Sequence, residues 1–207
     1  MAIADMALAQ AAAWNARGLQ LSVAVNLSPL LLDRPALVHE IEDLVRAHCL
    51  DPAQVMLEIT ESSLATCLGT ALALLARLRL RGFGLSLDDF GTGFSSLLQL
   101  ARVPFTELKV DRSFVHGAAQ RKHLRLMLAS ALDMARRLEL VSVAEGVETL
   151  EDWHLLQELG CTVGQGWLIA PAMPADELPA WRKAHQRQLP RLRAAAASAG
   201  TGPATAI

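Results

Sequence analysis

Residues 84–93 read Gly84-Leu85-Ser86-Leu87-Asp88-Asp89-Phe90-Gly91-Thr92-Gly93. Successive side chains of a strand point to opposite faces, so Leu85 and Leu87 share one face while Ser86 and Asp88 share the other. The apolar pair can pack beneath helices, and the polar pair can point inward. Two adjacent acids then end the run, and both reach one place only if the strand twists or stops there. Gly91 and Gly93 admit backbone conformations closed to other residues, so the loop can bend sharply. A turn with an aspartate cap is the plainer reading of the same string.

The pattern recurs on both sides of this stretch. β-rich runs fall at 21–27, 55–59, 84–88, 108–111, 140–144 and, weakly, 162–168. Amphipathic stretches at 36–48, 68–81, 120–138 and 150–159 separate them, after an Ala-rich helical pattern at 2–17. Gly18, Gly82 and Gly160 each follow a helical pattern, as helix stops do. This alternation predicts parallel strands covered by helices. An open doubly wound sheet and a barrel both fit it. Polar residues gather at the C-terminal ends of the runs: Asn26, Glu58, Asp88 with Asp89, Lys109 with Asp111, and Glu145. A barrel brings those ends to one mouth, where active sites lie, and an open sheet strings them along a line. The barrel is therefore the expected architecture. One feature runs against the face argument, because Glu145 shares parity with the apolar Val141 and Val143.

The 207 residues fit one domain and are short for a complete (β/α)8 barrel, which takes about 250. An apolar content of 52% suffices for a sizeable core. The net charge of −2, from 19 basic and 21 acidic residues, gives no sign of a basic surface for nucleic acid polymers, and none is expected. Cys49, Cys67 and Cys161 are odd in number and far apart, which argues against a zinc cluster or disulfide framework and for thiols in a reducing cytoplasm. No apolar run reaches the ~20 residues of a membrane span. Asp5 interrupts an N-terminus that has no basic leader region, so neither a membrane segment nor a signal peptide is expected in this chain. Residues 1–190 are expected to form the domain. Residues 191–207, rich in Ala, Gly, Pro, Ser and Thr, are expected to be a disordered tail.

Carboxylates recur after successive runs: Glu58 with Glu61, Asp88 with Asp89, Glu145 with Glu148. Several at one mouth are costly unless a cation neutralises them. Oxygen-only donors, the Asn26 amide among them, suit Mg2+ or Mn2+ rather than zinc. Taken singly, each acid also fits a helix cap or a surface ion pair, and Thr60 or Ser62 beside Glu61 can start a helix. Lys109 keeps its charge near carboxylates, where it can hold a phosphate oxygen or orient a water. The alternative for it is a structural Lys–Asp pair. The six histidines show no metal-ligand spacing and read as surface or packing residues, while Trp167 can line the mouth.

Six strings, in this order, resemble the EAL domain family: 25–28 (Val-Asn-Leu-Ser), 57–61 (Leu-Glu-Ile-Thr-Glu), 87–97 (Leu-Asp-Asp-Phe-Gly-Thr-Gly-Phe-Ser-Ser-Leu), 108–115 (Leu-Lys-Val-Asp-Arg-Ser-Phe-Val), 144–149 (Ala-Glu-Gly-Val-Glu-Thr) and 164–167 (Gly-Gln-Gly-Trp). The resemblance implies an α/β fold, an incomplete TIM-like (β/α)8 barrel of the EAL type. It implies a phosphodiesterase that hydrolyses cyclic di-GMP to linear pGpG with Mg2+ or Mn2+. Carried over, Asn26, Glu58 and Asp88 are first-metal ligands, and Asp89 helps to hold a second metal. Lys109 positions the attacking water or a phosphate, and Glu145 is the general base or a second-metal ligand. Glu61 anchors the loop after Asp89, which in the family also shapes a homodimer contact. Asp111, Glu148 and Gln165 match positions near the substrate and metal site. The family's opening strands, with the Glu-Ala-Leu segment and its metal-ligand Glu, are expected before Ala2 and are not in this sequence. Three functions therefore compete: a cyclic di-GMP phosphodiesterase, a catalytically inactive cyclic di-GMP-binding or protein-interaction module, and a truncated remnant.

Overall fold

The computed structural model describes residues 1–93, 97–186 and 205–206. The 94–96 part of the third string lies outside the described residues, as does the expected tail apart from residues 205–206. Two compact units divide the chain, Met1–Leu108 and Lys109–Ile207.

In the first unit, α1 (Ala2–Asn15) precedes the strands β1 (Val23–Asn26), β2 (Val55–Thr60) and β3 (Gly84–Phe90). Helix α2 (Leu37–Ala47) joins β1 to β2, and α3 (Glu61–Leu80) joins β2 to β3. Both pairings are parallel, with Val25 opposite Leu57, Asn26 opposite Glu58, Leu57 opposite Leu85 and Thr60 opposite Asp88. Parallel neighbours need such crossover helices. Leu57, Ile59, Leu85 and Leu87 lie on one face and are fully buried, as are Leu75 and Leu78 of α3, which packs on β2 and β3. Each such leucine or isoleucine contributes roughly 1.5–3 kcal/mol by leaving water. Leu37, Val38, Ile41 and Val45 form the buried stripe of α2 at helical spacing. Helix α3 begins at Glu61, seven residues before the amphipathic pattern at 68. The Thr60 hydroxyl caps it by accepting from the Ser63 N–H at 3.4 Å, so the start lies in the cap and not in the apolar periodicity. A short helix α4 (Leu97–Arg102) follows, and β4 (Glu107–Val110) spans the division point of the chain.

The second unit carries α5 (Arg112–Val115), α6 (Lys122–Arg137), β5 (Val141–Ala144), α7 (Leu150–Glu158), β6 (Val163–Gly164) and the two-residue β7 (Thr205–Ala206). Val143 lies opposite Val163, and Ala144 opposite Gly164, again in parallel. Leu128, Ala131, Leu132 and Ala135 are the buried stripe of α6, which packs on β5. Thr149 caps α7 by accepting from the Asp152 N–H at 3.1 Å. The weak run at 162–168 narrows to two residues. Beyond Gly164 the chain leaves the ladder to bond with the loop after β5, as the Val147 N–H donates to Gln165 O (3.0 Å) and the Leu168 N–H to Val147 O (3.0 Å).

Candidate active site

The parallel register places the first unit's polar residues in rows. Asn26, Glu58 and Ser86 stand side by side across β1, β2 and β3, and Asp88 stands one step further along the same face of β3. Neighbouring strands are only about 4.8 Å apart, so these side chains are within reach of one another. Glu58 and Asp88 are buried and Asn26 is exposed. The Ser86 hydroxyl is fully buried with no hydrogen-bond partner. Asp89 leaves the extended conformation at φ +57°, which aspartate tolerates better than most residues, and its N–H donates to Asp88 Oδ1 at 3.1 Å. The strand alternation thus ends at the second acid.

Glu61, the first residue of α3, is only 2% exposed. Its Oε2 accepts from the Gly91 N–H at 2.9 Å and the Gly93 N–H at 3.1 Å. A Cβ on Gly93 would lie 3.1 Å from Glu61 Cδ, so the glycine keeps this approach open. The Thr92 hydroxyl closes the turn by donating to Asp89 O at 2.9 Å.

The second unit holds the remaining set. Lys109, one residue from the end of β4, is buried, and its Nζ lies 2.8 Å from Glu145 Oε1. Glu145 stands just past the last residue of β5, with its N–H donating to Val110 O at 3.0 Å. Its parity with Val141 and Val143 therefore decides nothing, because strand alternation no longer applies there. Asp111 caps α5, its Oδ1 accepting from the Ser113 N–H at 2.9 Å. Glu148 pairs with Arg112 (Nη2 to Oε1, 3.0 Å), and His116 Nδ1 lies 3.9 Å from Glu148 Oε2. Gln165 is exposed and joins the loop through its backbone, which bonds both Ala144 O and the Val147 N–H. Trp167 is 72% exposed. Two residues without an expected role join the picture. Ser86 could be found from its parity with Asp88. Arg112 sits inside the string quoted for Lys109 and Asp111, but nothing local announces its contact with the loop after β5.

Comparison with known proteins sets this geometry in context. The EAL domain family matches residues 2–172. The chain belongs to that family. It is 40% identical over 157 residues to the bifunctional diguanylate cyclase/cyclic di-GMP phosphodiesterase MucR of Pseudomonas aeruginosa, an alignment covering 76% of this chain and 23% of that protein. The chain thus spans about a quarter of the length of that relative. Among solved structures, a PaMucR phosphodiesterase in complex with c-di-GMP matches with TM-score 0.80 and 38% identity, over 85% of this chain and 72% of that one. Klebsiella pneumoniae BlrP1, solved at pH 9.0 with manganese and cyclic di-GMP, matches with TM-score 0.74 and 35% identity, over 80% of this chain and 42% of that one. The fold class is accordingly that of this EAL domain, an α/β incomplete TIM-like barrel. Among the described residues no helix is long and apolar enough to cross a membrane.

Proposed function

We propose that this chain carries the catalytic residues of a metal-dependent phosphodiesterase that hydrolyses cyclic di-GMP to pGpG. The pair of buried Lys109 and half-buried Glu145, 2.8 Å apart beside the ends of β4 and β5 in an EAL-family chain, carries the reading. Such a pair gives a carboxylate a fixed direction, and a carboxylate so placed can accept a proton from water. The donor set of the first unit fits a hard divalent cation: Asn26, Glu58, Asp88 and Asp89 offer oxygen alone. The unpartnered Ser86 hydroxyl supplies one more oxygen on the same face. Mg2+ or Mn2+ bound by these residues supplies charge that neutralises a phosphate and acidifies a water.

Glu145 then accepts the proton of the attacking water, whose oxygen bonds to phosphorus as one phosphodiester P–O bond breaks, and the leaving oxygen takes up a proton from solvent. Lys109 holds Glu145 and offers its ammonium to a phosphate oxygen. Glu61 fixes the loop that carries Asp89. Asp111, Glu148 and Gln165 support the substrate side by holding α5 and the loop after β5.

Chromatographic detection of pGpG, after incubation of the purified chain with cyclic di-GMP and Mg2+ or Mn2+, tests the reading. Wild-type protein should form product, and Glu145→Ala should be at least about 100-fold slower, the usual scale of a lost general base. Equal background turnover in the two would reject it, and saturable nucleotide binding without turnover would favour a binding module.

A further inference from the structure

Glu145 stands outside any strand, so its direction depends on how the loop 145–148 is held. Backbone bonds fix the loop's flanks: Glu145 N–H to Val110 O (3.0 Å), Gln165 N–H to Ala144 O (2.8 Å) and Val147 N–H to Gln165 O (3.0 Å). The middle, Gly146, sits in the left-handed region at φ +65°. A Cβ there would lie 2.7 Å from Arg112 Cβ and 2.9 Å from Arg112 Cδ, and nearer still to Cγ. The stem of Arg112 thus fills the space a side chain would need. Beyond the stem, the guanidinium Nη2 reaches Glu148 Oε1 at 3.0 Å. Arg112 therefore crosses the loop, its stem on Gly146 and its head on Glu148. Its own backbone is anchored in α5, which Asp111 caps and where the His116 N–H donates to Arg112 O at 2.9 Å.

We infer that Arg112 is a positioning residue, a strap that presses on Gly146 and thereby holds the Glu145 carboxylate towards Lys109. The inference rests on the reading of Glu145 as general base. An ion pair with a half-exposed arginine contributes little by itself. The stem supplies the restraint, because long basic side chains cover apolar and backbone surface while the charged head stays wet. Lysine at 112 would keep most of that stem and lose the planar fork, whereas alanine would lose both.

Hydrogen exchange read by mass spectrometry on the unliganded protein tests the strap without relying on turnover. Arg112→Ala should speed exchange in peptides covering 145–149 about tenfold and leave α6 unchanged. Arg112→Lys should stay within about threefold of wild type. In cyclic di-GMP hydrolysis, Arg112→Ala should lower kcat about tenfold with KM within twofold. Unchanged loop exchange in Arg112→Ala, or equal acceleration throughout α6, would overturn the strap. A raised KM with kcat retained would overturn it too, assigning Arg112 to substrate binding. Should wild-type protein prove inactive, the proposed function fails, and the exchange data still decide the strap.

Discussion

Replacing Glu61 with alanine removes a buried carboxylate that accepts two backbone N–H groups, from Gly91 at 2.9 Å and Gly93 at 3.1 Å. Hydrogen bonds to a charged group contribute about 1.5–3 kcal/mol each. Gly91 is exposed, so water takes over part of the lost bonding, and the lower end applies, about 3 kcal/mol for the pair. At 1.4 kcal/mol per tenfold, the loop 89–93 should open about 100-fold more often. Loss of an acid from the first turn of α3 adds about 0.3–1 kcal/mol to the global cost. Glu61→Gln keeps shape and an acceptor oxygen, so its loop opening should rise only about tenfold. Amide exchange at Gly91 and Gly93, followed by NMR against the β2 amides as internal control, measures both numbers. Unchanged exchange at these two glycines in a folded Glu61→Ala protein would refute the anchor. Equal effects of Ala and Gln would refute the assignment of its strength to the charge.

Four further outcomes follow from local structure. Ser86→Ala removes a fully buried, unpartnered hydroxyl and should raise stability by about 1 kcal/mol in urea titration without metal; a loss of stability would mean that a water satisfies that oxygen. Gly166→Ala places a Cβ 2.8 Å from the Val147 carbonyl carbon, and closer to Val147 N and O, so backbone must move and stability should fall by about 1–3 kcal/mol or more; a thermal midpoint equal to wild type would contradict this. Burial holds the Cys161 thiol above its ordinary pKa, so its thiolate is scarce at pH 8 and maleimide should label the exposed Cys49 before Cys161, as peptide mapping would show. Because the folded pKa is raised, the stability Cys161 contributes is complete below the unfolded thiol's pKa, about 8.5, and disappears as pH climbs through the folded value; urea midpoints of wild type and Cys161→Ala measured from pH 7.5 to 10 should therefore converge on the alkaline side.

Much of the first unit was legible because it obeys a period of two. The alternation of Leu85 and Leu87 with Ser86 and Asp88 fixes which side chains pack with α3 and which form the polar face, and parallel pairing then aligns Asn26 with Glu58. The apolar pattern of helix α3 is clear only from residue 68, while its start is set by a single hydroxyl, that of Thr60, one of the two candidates beside Glu61. The second unit was harder to read for a different reason. Glu145 belongs to a loop, and the contacts that set its place, Val110 O from β4 and the Arg112 stem beyond it, are more than thirty residues away in sequence. Periodicity carries no signal for such contacts. The glycines carry a faint one: Gly146 and Gly166 stand where a Cβ would strike a neighbour.

These two ways of holding side chains imply two ways of failing. In the first unit a row of donors is set by strand register, and slipping β3 by one residue would turn both Ser86 and Asp88 to the apolar side at once. Leu57 and Leu85 bury the opposite face, so such a slip is opposed by the whole core. Truncating either leucine should cost about 2–5 kcal/mol of stability and still leave the donors aligned in the molecules that remain folded. The loop after β5 has no such protection. It is held by a few backbone bonds, the arginine stem and glycines that admit close approach, and a methyl group at 146 meets Arg112 directly. A Gly146→Ala protein can keep its core, since Val143, Ala144 and Val163 are untouched, while the carboxylate of Glu145 is moved from Lys109. Core substitutions should therefore lower the amount of folded protein at constant kcat, and Gly146→Ala should lower the kcat of the molecules that remain folded, whatever stability the strained position also costs.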